Sequence, residues 1–140
     1  MSPFTLGKQE RLSGKRLIEL LFNDGKSLYV PPLRITWMWA EDEGSCPARV
    51  LFSVSKRSFP RAVDRNKIKR LLREGYRRQK AELHDFLMRS NRRCLIAFIF
   101  AGKQIPDAAN LENKTIQALQ RLVKEMDHQS IPGKEKHEIR

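Results

Sequence analysis

The sequence predicts a single α+β domain, an α/β sandwich in which a small β-sheet is packed by helices. Three features support this prediction: an unbroken apolar run over Cys94–Phe100, two earlier segments rich in β-branched and aromatic residues, and helical segments around them. The chain has 140 residues, 40% of them hydrophobic, which suits one modest core. The predicted order is α-β-β-α-β-α, and an additional strand near residues 27–30 is left open.

The first predicted element is a helix over Leu12–Phe22. Leucines line one side of it, Ser13 is placed to cap its first turn, and Gly25 ends it. Residues 26–32 are either a connector or a frayed strand, because they end in two consecutive prolines and proline cannot join a central ladder.

Two strands are predicted next, over Leu33–Trp39 and Arg49–Ser55, since both segments are rich in residues that favour strands. The polar stretch 41–47 between them has the composition of a loop. We expect it to be a hairpin loop that joins the two strands in antiparallel orientation.

The second half of the chain predicts a long helix from Arg61 to at least Lys80, with Met88 as its far limit. The apolar run Cys94–Phe100 follows, and its lack of alternation indicates a strand buried on both faces. After a loop over 102–109, Asn110 is placed to cap a final amphipathic helix that ends at Met126. Residues 127–140 have no periodic apolar face, and we expect them to be disordered.

Positive charge is concentrated in one part of the chain. The 28 Lys and Arg against 16 Asp and Glu give a net charge of +12. The 25 residues from Lys56 to Lys80 hold 11 basic and two acidic residues, so 11 − 2 places +9 of that charge in this segment. A polyanion partner, most simply a nucleic acid, is favoured over a merely solvated surface. A membrane-surface helix is disfavoured because the segment lacks a Trp- and Phe-rich apolar face.

At helical spacing the basic segment separates into an apolar face and a cationic face. Clustered like charges repel one another, and a purely structural helix would dilute them with glutamate. Guanidinium groups suit bidentate contacts with phosphate, although spacing alone does not distinguish RNA from DNA. The polar side chains on the cationic face are Arg65, Asn66, Lys69, Arg70, Arg73 and Arg77.

Motifs for catalysis, metal binding or export are not found in the sequence. The two cysteines, Cys46 and Cys94, stand far apart without a CxxC motif, so we expect neither a disulfide nor a zinc site, and a cytoplasmic location. The N-terminus lacks the pattern of a secretory signal, and no apolar run approaches the length of about 20 residues that spans a bilayer. His84 is predicted to be an ordinary helix-surface residue. We therefore expect no catalytic and no metal-binding residues in the protein itself.

Two consecutive motifs resemble the protein component of bacterial ribonuclease P. The first is Phe52-Ser53-Val54-Ser55-Lys56-Arg57, a strand that ends in SVSK. The second is Arg65-Asn66-Lys67-Ile68-Lys69-Arg70-Leu71-Leu72-Arg73-Glu74, which is similar to the RNR helix of that family. The N-terminal pattern and the final amphipathic helix are also similar, so the resemblance covers residues 4–126 as one RNA-binding domain and leaves 127–140 outside it.

The resemblance implies a sandwich with an unusual left-handed crossover and a role beside a catalytic RNA that removes the 5′ leader of precursor tRNA. The RNA, with Mg²⁺ held mainly by RNA and substrate, would carry out the hydrolysis, and the protein alone would be inactive. The implied partners are the RNA subunit and precursor tRNA, with no membrane and no DNA. The implied contacts with the RNA subunit are Arg65, Asn66, Lys67, Lys69, Arg70 and Arg73. The implied leader-binding cleft consists of Ile18, Phe22, Thr36 and Lys56.

The sequence departs from the family pattern at two cleft positions. Ile18 stands where an aromatic residue is frequent, and Thr36 where a tyrosine is often found. Stacking on an aromatic ring contributes about 1–3 kcal/mol per base, so leader binding here is expected to be weaker or less aromatic. Phe22 has two interpretations, as part of the cleft or as ordinary core at helical spacing from Ile18.

Two other functions are compatible with the residues themselves. One is a general module for structured RNA, of the ribosome-associated type, with no enzymatic partner. It would bind many structured RNAs alike. The other is a protein-only nuclease, which would cleave RNA without an RNA subunit.

Overall fold

A computed structural model describes residues 10–40 and 46–129 of the protein. Three helices and four strands make up an α+β fold, as the sequence predicts. In chain order the elements are α1 (Lys15–Asp24), β1 (Lys26–Val30), β2 (Leu33–Ala40), β3 (Ala48–Val54), α2 (Ala62–Ser90), β4 (Arg93–Phe100) and α3 (Ala108–Gln129).

The four strands form one mixed sheet in the order β1-β2-β4-β3. Strand β2 is antiparallel to both of its neighbours, whereas β3 is parallel to β4. The apolar strand β4 occupies a central position and is buried along nearly its whole length. This confirms the prediction of a strand covered on both faces.

The predicted hairpin between β2 and β3 is wrong. Strand β4 lies between them, so β2 and β3 run in opposite directions without pairing. The burial of the strands explains the order: β4 needs cover on both faces and neighbours on both sides, whereas β3 alternates between buried and half-buried residues and suits an edge. Part of the predicted hairpin loop, residues 41–45, lies outside the described residues.

Residues 26–30 form a regular strand, β1, which settles the open choice in this region. It pairs antiparallel with β2 from Lys26 opposite Trp37 to Val30 opposite Leu33. Pro31 and Pro32 stand in the turn after the strand, where no ladder hydrogen bond is required of them.

Several helix ends differ from the prediction. Helix α1 begins at Lys15 rather than Leu12, after Gly14 with a φ of 97°, because Leu12 is buried against the sheet. Helix α2 matches the predicted start and continues two residues beyond Met88. Helix α3 begins earlier than predicted because Asp107, rather than Asn110, caps it: the Asn110 amide donates to Asp107 Oδ2 at 3.1 Å.

The end of α3 bears on the predicted disordered tail. The helix continues to Gln129, so residues 127–129 are helical rather than disordered. Residues 127–129 contain neither glycine nor proline, so no helix-breaking residue ends the helix before Gln129. The remainder of that predicted tail, 130–140, lies outside the described residues.

The two faces of the sheet are covered unequally. Helices α2 and α3 pack on one face and bury the main core, which includes Trp37, Tyr76 and Phe98. The short α1 packs on the other face against β2 and β4, with a smaller cluster around Leu21 and Leu95. The second face is therefore only partly covered by a helix.

Candidate nucleic-acid interface

The first half of α2 has the two faces that the sequence predicts. Ile68 and Leu72 are buried in the main core, while the polar side chains between them face outward. Of the six predicted contacts with the RNA subunit, Asn66, Lys67 and Arg70 are exposed and Arg65, Lys69 and Arg73 are half-buried. All six lie on three consecutive turns of one rigid helix.

Arg65 differs from the other cations because it also has a structural role. Its Nη1 donates to the carbonyl oxygen of Phe59 at 2.9 Å and to that of Pro60 at 2.8 Å. Both carbonyls belong to the turn that leads from β3 into α2. Arg65 therefore holds the start of the helix, with Nη1 of its guanidinium group engaged by these two carbonyl oxygens.

The remaining cations of this face have no acidic partner in the part of the chain that the structure describes. Lys67, Lys69, Arg70 and Arg73 form no ion pair there, although Asp64 and Glu74 stand beside them in the sequence. Unpaired cations of this density on one surface are suited to the phosphates of a nucleic acid. From here on the name cationic face is used for these four unpaired cations alone, Lys67, Lys69, Arg70 and Arg73, in place of the broader predicted set.

On the opposite side of the sheet, the register places residues of four strands in rows. One row, under α1, contains Ser27, Thr36, Ala97 and Leu51. The next row toward the open end contains Tyr29, Arg34, Ile99 and Ser53. In this second row Tyr29 and Arg34 are exposed and the other two side chains are half-buried, so α1 leaves it accessible.

The structure separates the four predicted cleft residues into two groups. Phe22, on α1, is 43% exposed, and Lys56, in the turn after β3, is exposed. Exposure of Phe22 favours the cleft interpretation over the core interpretation. Ile18 packs on the smaller cluster between α1 and the sheet, with part of its surface accessible.

Thr36 is not at the surface. It is only 2% exposed, and its Oγ1 lies 3.3 Å from the Ser27 hydroxyl. A Cβ atom added to Gly25 would stand 2.8 Å from its methyl group, so the end of α1 closes over this position. In this conformation the side chain cannot contact a leader.

Two exposed residues near this position were missed by the sequence reasoning. Tyr29 is 53% exposed, and it is directly opposite the exposed Arg34 in the β1–β2 ladder. Their side chains therefore stand side by side on the accessible row. The signal was present in the sequence: in Leu28-Tyr29-Val30 the two aliphatic residues face the core, and a strand must then turn Tyr29 outward.

A buried ionic cluster joins the N-terminal segment to the second half of α2. Lys80 Nζ donates to both carboxylate oxygens of Glu10 at 2.9 and 2.8 Å, and His84 Nε2 lies 3.7 Å from Glu10 and 3.2 Å from the Tyr76 hydroxyl. Burial lowers the pKa of His84, against the opposing effect of Glu10, and burial raises the pKa of Tyr76. The prediction of an ordinary surface histidine is wrong, because His84 is held between these two partners.

The described residues also bear on two other classes of function, metal binding and membrane insertion. Within 10–40 and 46–129, no three His, Cys, Asp or Glu side chains come together as a group that could hold a metal ion. No helix in those ranges is long and apolar enough to cross a membrane.

Comparisons with known proteins agree with the motifs. A family model described as Ribonuclease P matches residues 6–127. The chain is 36% identical over 119 residues to the ribonuclease P protein component of Porphyromonas gingivalis, covering 85% of this chain and 87% of the relative. It is 35% identical over 105 residues to the corresponding protein of Chlorobaculum tepidum, covering 70% and 68%.

Solved structures show the same fold. The RNase P protein of Thermotoga maritima superimposes with a TM-score of 0.62 at 26% identity, covering 80% of this chain and 96% of the other. The RNase P protein of Staphylococcus aureus gives a TM-score of 0.65 at 20% identity, covering 82% and 95%.

Proposed function

The chain belongs to the ribonuclease P protein family, and from this premise we propose that it uses two surfaces, one for the RNA subunit and one for the 5′ leader of precursor tRNA. As a protein component of this endoribonuclease it has an RNA subunit as its partner. The family assignment does not favour the general structured-RNA module. The proposal concerns which residues contact which RNA.

The surface for the RNA subunit is the cationic face together with Arg65 and Asn66. The observation that carries this assignment is the absence, within the described residues, of any ion pair for Lys67, Lys69, Arg70 and Arg73. Their charges are available to neutralise phosphates, and neutralisation releases the counterions condensed on RNA. Asn66 adds an amide that donates to and accepts from a 2′-hydroxyl or a base edge.

The surface for the leader is the accessible row of the sheet with the neighbouring part of α1. Phe22 and Tyr29 supply exposed aromatic rings, and Arg34 and Lys56 supply positive charge. Aromatic rings and cations together are the usual means of binding single-stranded RNA without a sequence preference. Tyr29 on β1 thus takes over the stacking role that Thr36, buried under α1, cannot perform, while Ile18 packs on the cluster between α1 and the sheet.

Hydrolysis is assigned to the RNA subunit. Mg²⁺ would be held by RNA and substrate. The protein would supply charge neutralisation and positioning from a single RNA-binding domain over residues 4–126, in the cytoplasm.

Reconstitution tests this division of labour. Purified protein with Mg²⁺ should leave precursor tRNA intact, and addition of the RNA subunit should give accurate 5′ cleavage. The gain from the protein should shrink at high Mg²⁺, because the added cations screen the same phosphates. Cleavage by RNA-free protein, abolished by changing one of its own carboxylates, would instead establish a protein-only nuclease.

Leader binding is tested by Phe22→Ala and Tyr29→Ala. Each substitution should lower the affinity for precursor tRNA by roughly fivefold or more, since a stacked base contributes about 1–3 kcal/mol. The affinity for mature tRNA should be unchanged. Met88→Ala removes a more exposed apolar side chain, 70% accessible, at the far end of α2 and should leave the affinity for both tRNAs unchanged. Equal losses for both tRNAs would contradict the leader surface.

A further inference from the structure

An open pocket of about 370 Å³ lies between the N-terminal segment, the edge strand β3 and the first half of α2. Three cationic side chains line it: Arg11 from the N-terminal segment, and Lys69 and Arg73 from α2. Lys69 and Arg73 belong to the cationic face, whereas Arg11 lies in the N-terminal pattern and belongs to neither of the two surfaces proposed above.

We propose that this pocket binds one phosphate group of the RNA subunit, and that Arg11 is an RNA-contacting residue. This inference rests on the function proposed above and extends the cationic face across β3. Within 10–40 and 46–129, none of the three side chains forms an ion pair, so an anion in the pocket would meet three uncompensated charges. Two of them are guanidinium groups, which grip phosphate oxygens with paired hydrogen bonds.

The pocket is preformed on its α2 side. Lys69 and Arg73 are one turn apart on the helix, and both are half-buried. The aliphatic parts of their side chains are therefore held by packing more firmly than those of the exposed Lys67 and Arg70. A cation that is already oriented loses less conformational freedom when it binds.

The pocket is also preformed on its N-terminal side. Arg11 forms a parallel bridge with Val50, and the Leu12 amide donates to the Val50 carbonyl at 2.9 Å, so this segment lies along the free edge of β3. On the other side of Arg11, Glu10 is fixed by its two short hydrogen bonds from Lys80. A buried ion pair contributes little net stability but fixes geometry, and here it fixes the backbone on which Arg11 stands.

The first test compares two single charge removals. Arg11→Gln should lower the affinity for the RNA subunit about fivefold at 0.15 M salt. It should also make the slope of log K against log salt less steep by about 0.7–0.9, as expected for one lost phosphate contact. Arg16→Gln removes the same charge from an exposed position on the nearby α1 that does not line the pocket, and should cost less than half of that change. Equal effects of the two variants would overturn the proposal.

The second test separates positioning from bulk charge. Glu10→Ala makes the protein more positive by one charge, so long-range attraction alone predicts tighter RNA binding. The proposal predicts weaker binding, because Lys80 loses its partner and Arg11 is no longer held over the pocket. Circular dichroism and a melting curve check that the core of this variant is folded, and tighter binding by a folded variant would overturn the role of Glu10 as a positioning residue.

A third comparison distinguishes failure of this inference from failure of the proposed function. If Arg70→Ala lowers the affinity for the RNA subunit while Arg11→Gln and Arg16→Gln behave alike, only the assignment of the pocket is wrong. If Arg70→Ala has no effect, the cationic face itself is wrong. If Arg11→Gln lowers the affinity for precursor tRNA but not for the RNA subunit, the pocket would be assigned to the substrate, and its assignment to the RNA subunit would be overturned.

Inorganic phosphate provides a probe that needs no RNA. On titration, the side-chain Nε–Hε resonances of Arg11 and Arg73 should shift together in NMR spectra, and that of Arg16 should not. A shift without any effect of Arg11→Gln on the RNA subunit would mean a site for free anions only, which would also overturn the proposal.

Discussion

The two halves of α2 both carry several cations, yet the protein uses them differently. In the second half, Arg78 pairs with Glu112 of α3 at 3.7 Å and Lys80 is bound by Glu10. In the first half, Lys69 and Arg70 have no such partner among the described residues. Among the described residues, the ion pairs of this helix therefore lie in its second half, at Arg78 and Lys80, and its dense group of unpaired cations lies in the first half.

This difference shows that charge density alone does not identify an RNA surface. A run of basic residues extends through both halves of the helix, but within residues 10–40 and 46–129 acidic residues from other segments engage it only in the second half, at Arg78 and Lys80. The cationic face is identified by several cations close together without ion pairs among the described residues. Neither an isolated exposed cation such as Arg89 nor a paired cation such as Lys80 meets that condition.

The largest expected effect is on stability, in the second half. Leu83 is fully buried in the main core, so Leu83→Ala should lower the free energy of unfolding by about 2–5 kcal/mol. Because the cationic face is remote from this site, the RNA affinity of the folded protein should be unchanged at low temperature. Urea unfolding beside RNA titration measures both. A large loss of affinity in folded Leu83→Ala would mean that the two halves are not independent.

The next effect sharpens the comparison within the first half. Arg65→Ala should lower the free energy of unfolding by about 1–2 kcal/mol, because two carbonyl oxygens lose a charged donor. Arg70→Ala, one exposed charge on the same helix, should change it by less than about 0.5 kcal/mol. Equal stability of the two variants would show that Arg65 has no structural role.

The third expectation concerns pH and the ionic cluster of the second half. Burial lowers the pKa of His84 in the folded protein, so between that value and its ordinary value of 6.5 the unfolded chain binds a proton that the folded chain does not. The contribution of His84 to the free energy of unfolding is therefore fully present above pH 6.5. It is lost as the pH falls toward the pKa of His84 in the folded protein. His84→Gln should flatten this part of the pH profile of unfolding. The nearby charges of Glu10, Lys80 and Asp85 remain in the variant and serve as the internal control.

The smallest effect is expected for the ion pair between Arg78 and Glu112. Both side chains are substantially exposed, and such surface pairs contribute about 0.2–1 kcal/mol. Arg78→Ala should therefore lower the melting temperature only slightly and leave the RNA affinity nearly unchanged. A loss of affinity comparable to that of Arg70→Ala would remove the distinction between paired and unpaired cations.

Local patterns predicted the fold's elements well and their partners poorly. Helical periodicity gave the two faces of α2, and the unbroken apolar run gave the buried strand β4. The hairpin failed because the neighbour of β3 is a strand that follows only after the whole of α2, and no local signal specifies such a pairing.

For the candidate site as well, the features within one element were predicted and those that depend on contacts between elements were not. The cationic face follows from spacing along one helix, whereas the burial of Thr36 depends on how the end of α1 lies over β2. The partners Glu10 and Lys80 are 70 residues apart, and the position of Arg11 over the pocket follows from that contact. Contacts between distant segments decide these features, and local patterns in a single sequence do not predict such contacts.

The central claim is that free cations in the first half of α2 bind the RNA subunit. It is tested most directly by the salt dependence of RNA-subunit affinity for the unaltered protein, Arg70→Ala and Arg89→Ala. For about five neutralised phosphates the slope of log K against log salt should be roughly −3.5 to −4.5. Arg70→Ala should reduce it by about 0.7–0.9, and Arg89→Ala, an exposed charge at the other end of the same helix, should leave it unchanged. A slope near zero, or the same reduction in both variants, would contradict the account.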